Sequence, residues 1–327
     1  MTRSISSWFG RRTLAVAAAA AILAATACGS DEPTPPSTPG QPDNVTVGVI
    51  PIIDVAPIYL GKEKGFFSSR DINLTLTLAQ GGAAIVPAVV SGQYQFGFSN
   101  VISLLVSQQN LGPVLKVVSN GNNSTGNPSA DFGGVVVKAD STIQSPKDLV
   151  GKKVATNTLK NIVDTSVKEL VRKDGGDPKA VSFVELPFPN MAAALAANQV
   201  DAIFVVEPFY SAAKAQGFRS IATWANVGPN LCVALYFTST KLANENPDLV
   251  QRFTDAMKES LAFADANPDE ARRIIGTYTQ ITEEVRNAIT LPKWPAEINR
   301  DSITTLGGLA VTDGLLTGQP DLNLLLP

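Results

Sequence analysis

Short β-branched runs alternate with amphipathic stretches along most of the chain. Val45–Ile50 reads as a strand, and Pro57–Phe67 as a helix ending near Gly65. Ile72–Leu78 is a second strand, Gly81-Gly82 opens a helix running through Val90, and Gln95–Phe98 is a third strand followed by a helix over Asn100–Gln109. This β-α-β-α-β-α order is the pattern of a parallel sheet covered by helices. The same order returns at a constant offset of 107 positions. Lys152–Thr156, Val181–Leu186 and Asp201–Val206 are its strands; Asn161–Lys173, Asn190–Ala197 and Glu207–Gln216 are its helices. The two copies share a pattern rather than residues, so the expectation is two similar α/β lobes.

Gly133–Val137 follows the first unit and Cys232–Phe237 the second; crossing between lobes, they would make a two-strand hinge. That places the first lobe at 45–137 plus 232–327 and the second at 138–231. Asn246-Pro247 starts a helix with proline at a tolerated position. Leu249, Phe253, Met257 and Leu261 mark its buried face, and Asn267-Pro268-Asp269-Glu270 starts another helix with capping-box spacing. Both are expected to pack on the first lobe. The polar stretch Asn120–Pro128 reads as a solvent-exposed loop, and the Leu315-Leu316 and Leu322–Leu326 turns are too irregular to place.

Residues 1–27 change the picture of the N-terminus. Arg3, Arg11 and Arg12 precede the apolar run Leu14–Ala27, which is too short for a stable bilayer span. A basic start, a short apolar run and the small-residue exit Ala25-Thr26-Ala27 make an export signal. Cys28 follows directly, as in a bacterial lipobox, so it is the expected site of lipidation. Arg11-Arg12 also fits a twin-arginine export motif. Residues 28–44 are then a lipidated cysteine and a proline-rich tether, too poor in large apolar residues to form a core.

The chain carries a formal net charge of −3, two cysteines and no histidine. Without histidine there is no Ser-His-Asp or Cys-His catalysis and no His-based zinc or iron site. An all-carboxylate metal site stays open, but no metal or cofactor is expected. No basic surplus points to nucleic acid. With Cys28 lipidated, Cys232 is expected to be a lone buried thiol.

Ligands of open α/β sheets bind at the carboxyl ends of the strands, beside helix N-termini. The repeat pairs three such loops per lobe: Ile50–Asp54 with Asn157–Asn161, Gln80–Ala83 with Pro187–Asn190, and Ser99-Asn100 with Val206-Glu207. They supply Asp54, Gly81, Gly82, Ser99, Asn100, Asn157, Thr158, Asn161 and Glu207, with Thr156 on the edge. Each of these types also serves in ordinary helix caps and turns. Lys160 is the one cation, so a bound anion would rely on backbone N–H groups, hydroxyls and helix dipoles. Asp54 and Glu207 suit instead a ligand with amine or ring N–H donors. They also raise the alternative of acid–base hydrolysis by paired carboxylates. No P-loop, G-x-G-x-x-G or G-x-S-x-G motif is present.

Val47-Gly48-Val49-Ile50-Pro51, Ala56-Pro57-Ile58-Tyr59-Leu60, Lys64-Gly65-Phe66-Phe67, Asp148–Val154, and Asp201-Ala202 through Glu207-Pro208 carry a family likeness. The sequence resembles ABC-transporter substrate-binding proteins of the nitrate, sulfonate and taurine type, whose kin bind thiamine-precursor pyrimidines. The resemblance covers most of 45–295. It implies an α/β, two-lobed type II periplasmic-binding-protein fold, each lobe a mostly parallel sheet flanked by helices, with ligand between the lobes. By position it implies binding roles for Ile53, Asp54, Gly81, Gly82, Ser99, Asn100, Thr156, Asn157, Thr158 and Glu207, and a weaker one for Asn230. Asn161 joins them from the loop pairing. A eukaryotic branch makes thiamine pyrimidine with a histidine as reactant; this chain has none, so that activity is not expected.

The reading that follows is a monomeric, non-enzymatic, lipid-anchored receptor outside the cell membrane, serving an ABC permease and its ATPase. Its solute is expected to be a small organic anion of sulfonate, carboxylate or nitrate type, or alternatively a nitrogen heterocycle. An exported hydrolase and a surface lipoprotein that binds another protein are the competing classes.

Overall fold

The computed structural model describes residues 41–327; the export signal, Cys28 and most of the tether lie outside the described residues. Ten strands form two sheets of five. In the first, β1 (Asp43–Val49) lies between β2 (Ile72–Leu78) and β3 (Phe96–Asn100), all parallel. β4 (Leu115–Asn123) is its far edge strand, opposite the β2 edge. In the second, β6 (Lys153–Thr156) lies between β7 (Ser182–Glu185) and β8 (Ala202–Val206), again parallel, and β9 (Arg219–Thr223) is the edge. Each sheet is completed by one antiparallel strand taken from the other half of the sequence. β5 (Gly133–Val137) inserts between β8 and β9, and β10 (Cys232–Ser239) between β3 and β4.

The helices follow the same duplication. The first unit contributes α1 (Ala56–Glu63), α2 (Gly82–Val90) and α3 (Val101–Leu111); the second contributes α4 (Ile162–Lys173), α5 (Phe188–Ala196) and α6 (Phe209–Ala215). The short α7 (Trp224–Val227) lies in the second crossover. After β10 come α8 (Thr240–Glu245), α9 (Pro247–Ala266), α10 (Pro268–Ile275), α11 (Glu283–Ala288) and α12 (Arg300–Thr312). The 107-residue repeat is therefore real in three dimensions: all six paired elements recur in the expected order.

The expected first lobe of 45–137 is corrected at its end. Gly133–Val137 pairs with β8 and β9, so the chain leaves the first sheet after Asn123 and returns only at Cys232. A β-branched run shows that a strand forms, but not which sheet accepts it. The expected exposed loop at Asn120–Pro128 is also corrected at its start. Asn120, Asn122, Asn123 and Ser124 are buried, and the first three belong to β4. Paired to β10, their backbone groups are satisfied by the ladder, which lets a polar run serve as a strand. Gly121 has a steric reason there: a Cβ would stand 2.6 Å from the Ala234 carbonyl oxygen.

The core of the first lobe is aromatic. Leu249, Phe253, Met257 and Leu261 of α9 are buried as their spacing predicts. Phe253 stacks on Phe96 of β3 with ring centroids 3.7 Å apart. Not all of the C-terminal region stays with this lobe. Thr290 N donates to Glu207 Oε1, beside α6, at 3.2 Å, and Arg172 of α4 pairs with Asp313, just past α12, at 2.7 Å. The tail thus spans both lobes, where the sequence pattern assigned it to one. Cys232 is buried and free, as expected; burial pushes its thiol pKa up to about 12.

The two crossovers, 124–132 and 224–231, are tied by one buried carboxylate. Asp131 accepts from Ser124 Oγ at 2.6 Å, Thr125 N at 3.1 Å and Phe132 N at 3.0 Å on its own crossover, and from Ala225 N at 2.7 Å on the other. Ser124 N also donates to the Leu231 carbonyl at 2.8 Å. Asp131→Ala strips four donors of their acceptor. It should destabilise the protein by about 3 kcal/mol or more in urea unfolding, whereas Gly318→Ala, with open space around it, should change stability by less than about 0.5 kcal/mol.

Candidate functional site

The carboxyl edges of both parallel triplets face each other, and the loops leaving them touch. Ile53 N, after β1, donates to the Glu207 carbonyl, after β8, at 3.0 Å. Asn157 Nδ2, after β6, donates to the Gln80 carbonyl, after β2, at 3.2 Å. Ile162 N, opening α4, donates to Asn100 Oδ1 at 3.3 Å. Gly81 lies so close to the opposite lobe that a Cβ would stand 2.7 Å from Thr158 Cγ2. These contacts describe a closed pair of lobes.

The structure brings together Ile53, Asp54, Gly81, Gly82, Ser99, Asn100, Thr156, Asn157, Thr158, Asn161 and Glu207. All but Asn100, which is half-buried, are buried. Their polar atoms are largely spent on one another. Asn161 caps α4 by accepting from Val163 N at 2.8 Å, and donates to Asn157 Oδ1 at 3.1 Å and Thr158 Oγ1 at 2.7 Å. Thr156 Oγ1 donates to the Thr158 carbonyl at 3.0 Å. Asn100 caps α3 by accepting from Ser103 N at 2.9 Å. Gly82 has no room for a side chain, since a Cβ would overlap Ser99 Oγ; close packing explains the glycine pair. The first turn of α2 has no side-chain cap, and of its N–H groups Ala84 N turns back to the Gly81 carbonyl at 3.1 Å. Asn230 is not part of this assembly. It sits exposed in the turn before β10 at φ +49, its carbonyl accepting from Asn299 Nδ2 at 3.0 Å.

The two carboxylates differ. Glu207 is fully buried and saturated: it accepts from Ser211 N at 3.0 Å, Ser211 Oγ at 2.7 Å and Thr290 N at 3.2 Å. Burial raises its pKa, against the pull of those bonds. A carboxylate filled in this way holds α6 to the C-terminal segment rather than offering a free acid or base, which removes one arm of the paired-carboxylate reading. Asp54 accepts on Oδ1 from Asn122 Nδ2 at 3.0 Å, while its Oδ2 has no partner. Burial pushes its pKa up to about 7, opposed by its own backbone N–H and by Asn122. Trp294 Nε1 donates to the Asp54 carbonyl at 3.2 Å, and the Tyr278 hydroxyl to the Ile52 carbonyl at 3.1 Å. Tyr278 in turn stacks on Tyr59 at 3.9 Å. Asn122, Tyr278 and Trp294 escaped the sequence reading. Asn122 hides in a run resembling a loop, and the aromatics lie more than two hundred residues from Asp54 along the chain. Among the described residues no group of three His, Cys, Asp or Glu side chains is placed to hold a metal.

The NMT1/THI5-like family model matches residues 52–271, more than half of the chain. The chain belongs to the NMT1/THI5-like family. No curated protein matches its sequence. Solved structures share its fold. One is the ligand-binding component of an ABC-type import system from Staphylococcus aureus, solved with zinc bound. It has 15% identity and a TM-score of 0.76, covering 87% of this chain and 96% of that one. The alkanesulfonate-binding protein SsuA from Xanthomonas axonopodis pv. citri, bound to MOPS, has 19% identity and a TM-score of 0.74, with 88% and 99% covered. The desulfurization enzyme DSZB has 17% identity and a TM-score of 0.61, with 86% and 95% covered. The family membership and the periplasmic-binding fold thus meet the expectation from sequence. The DSZB likeness shows that an enzyme can be built on the same fold.

Asp54 makes stability depend on pH with a definite sign. Its folded pKa of about 7 lies above the ordinary 3.8, so the folded state keeps a proton that the unfolded chain releases. The associated stability is full below about pH 3.8 and lost as pH rises to about 7. Asp164, raised to about 6 by burial, acts in the same direction. Urea unfolding should therefore give lower stability at pH 8 than at pH 5, with a distinctly smaller drop in Asp54→Asn.

Proposed function

We propose that this protein is the solute-binding component of an ABC importer, holding a small organic solute between its lobes and passing it to a membrane permease driven by its ATPase. The observation that carries this reading is the closed contact of two topologically matched lobes through their carboxyl-edge loops, across a connection of only two crossovers. Ile53 to Glu207, Gln80 to Asn157 and Asn100 to Ile162 each join one lobe to the other. A solute that touches both sets of loops favours the closed state over the open one by its differential contacts. Closure about a two-stranded connection is the hinge motion that such a solute would drive. No covalent step is needed. The similar import component from Staphylococcus aureus and SsuA support this role.

The N-terminal reading completes it: export by the signal in residues 1–27, lipidation at Cys28, and a tether holding a monomer at the outer face of the cell membrane. Work outside the cytoplasm follows from that signal and suits the import role. For the solute, the uncapped first turn of α2 and the sulfonate-binding relative favour an organic anion head. A nitrogen heterocycle is the second reading, favoured by the free oxygen of Asp54, which asks for a donor.

A specific solute should raise the melting temperature by mass action, by about 2.7 kcal/mol of stability at one hundred times its Kd. A thermal-shift screen of sulfonates, carboxylates, nitrate and pyrimidines, with the hit recovered and analysed, checks this. A bound solute recovered unchanged is the expected result; conversion to product would replace the receptor with an enzyme.

A further inference from the structure

Three buried polar atoms of the first lobe stand around Asp54 without partners. Asp54 Oδ2 and Asn122 Oδ1 are buried without a partner, and so is the Tyr236 hydroxyl. Asp54 is 2% exposed, Asn122 and Tyr236 not at all. The three belong together. Asn122 bonds Asp54 directly, and the field of Asp54 adds to the burial that raises the Tyr236 pKa. In the β4–β10–β3 ladder Tyr236 stands opposite Ser119 and Phe98, and Ala234 opposite Asn122 and Asn100, so Asn122 and Tyr236 project from the same face of the sheet. Buried polar atoms in native proteins nearly always have partners, so these three together make a demand that the chain's own groups do not meet.

The surroundings of Asp54 define what fits. Asn122 of β4 bonds the Asp54 side chain and Trp294 its backbone carbonyl, the charge of Asp54 acts on Tyr236 of β10 and on Tyr278, and Tyr59 of α1 stacks on Tyr278. No arginine or lysine is among the causes of the Asp54 shift. A buried carboxylate without a cation costs free energy to ionise, and an incoming cation removes that cost.

Resting on the receptor reading, we propose that the solute carries a positively charged nitrogen that seats against Asp54 Oδ2 and Asn122 Oδ1 among Tyr59, Tyr236, Tyr278 and Trp294. Any anionic part of the solute would then lie toward the first turn of α2, away from these atoms. Seating the cation ionises Asp54, so binding near neutral pH releases a proton.

The test compares matched probes on the whole protein by calorimetry and thermal shift. The pairs are choline with its neutral isostere 3,3-dimethyl-1-butanol, and benzamidine with benzamide; propanesulfonate is the probe with an anion alone. Each cation should bind more tightly than its neutral partner, and Asp54→Asn should weaken it about thirtyfold or more. The binding enthalpy at pH 6.5 should differ between buffers of different ionisation enthalpy, because a proton is released. Propanesulfonate binding that is indifferent to Asp54→Asn, with no preference for the cations, overturns the inference and leaves the receptor reading standing. Cation binding unchanged in Asp54→Asn also overturns it, because the orphaned atoms would then hold only water. No shift with any probe, together with none in the wider solute screen, removes the receptor reading as well. Unchanged unfolding of Asp54→Asn at pH 5 confirms that the variant is folded.

Discussion

Everything in this molecule depends on each lobe borrowing its fifth strand from the other half of the chain. β5 completes the second sheet and β10 the first, so neither sheet is whole without the other. The exchange forces the chain to cross twice between lobes, and both crossings are gathered on the buried carboxylate of Asp131. Two lobes joined by two crossovers are the arrangement that the proposed hinge closure requires. The parallel triplets direct their carboxyl edges at one another, so the loops that carry the polar residues meet.

Within the closed loops, hydrogen-bond balance separates structural residues from candidates for recognition. Asn100, Thr156, Asn157, Thr158 and Asn161 cap helices and fix loops by bonding one another or the opposite lobe. Glu207 is saturated in the same way and fastens the C-terminal segment to the second lobe. Asp54 stands apart because one of its oxygens is buried and unmatched. The two carboxylates stand at different positions of the repeat, Asp54 matching Asn161 and Glu207 matching Asn100, and do different work: one closes a structural network, the other leaves a demand that protein groups do not meet.

The C-terminal segment gives the cleft its asymmetry. Trp294 and Tyr278 bond the backbone of the loop after β1, and Thr290 bonds Glu207, so the last third of the chain shapes one wall and latches the other. The tail also carries Asp313 to Arg172, a second tie between lobes far from the crossovers along the chain.

The duplication was determined by the sequence alone, because strand and helix periodicity are local properties that repeat wherever the pattern repeats. The same locality made the α9 core stripe, the caps at Asn100 and Asn161 and the meeting loops legible, and they stand where the pattern put them. Only the tertiary structure decided which sheet accepts Gly133–Val137, since strand partnership is set by long-range pairing rather than by the composition of the strand. Only it turned Asn120–Asn123 into a buried strand, because a polar run is tolerated inside once every backbone group is paired. It also chose between Asp54 and Glu207: a carboxylate's role depends on how many donors reach it, and the donors here come from Ser211, Thr290 and Asn122, residues that no local pattern connects.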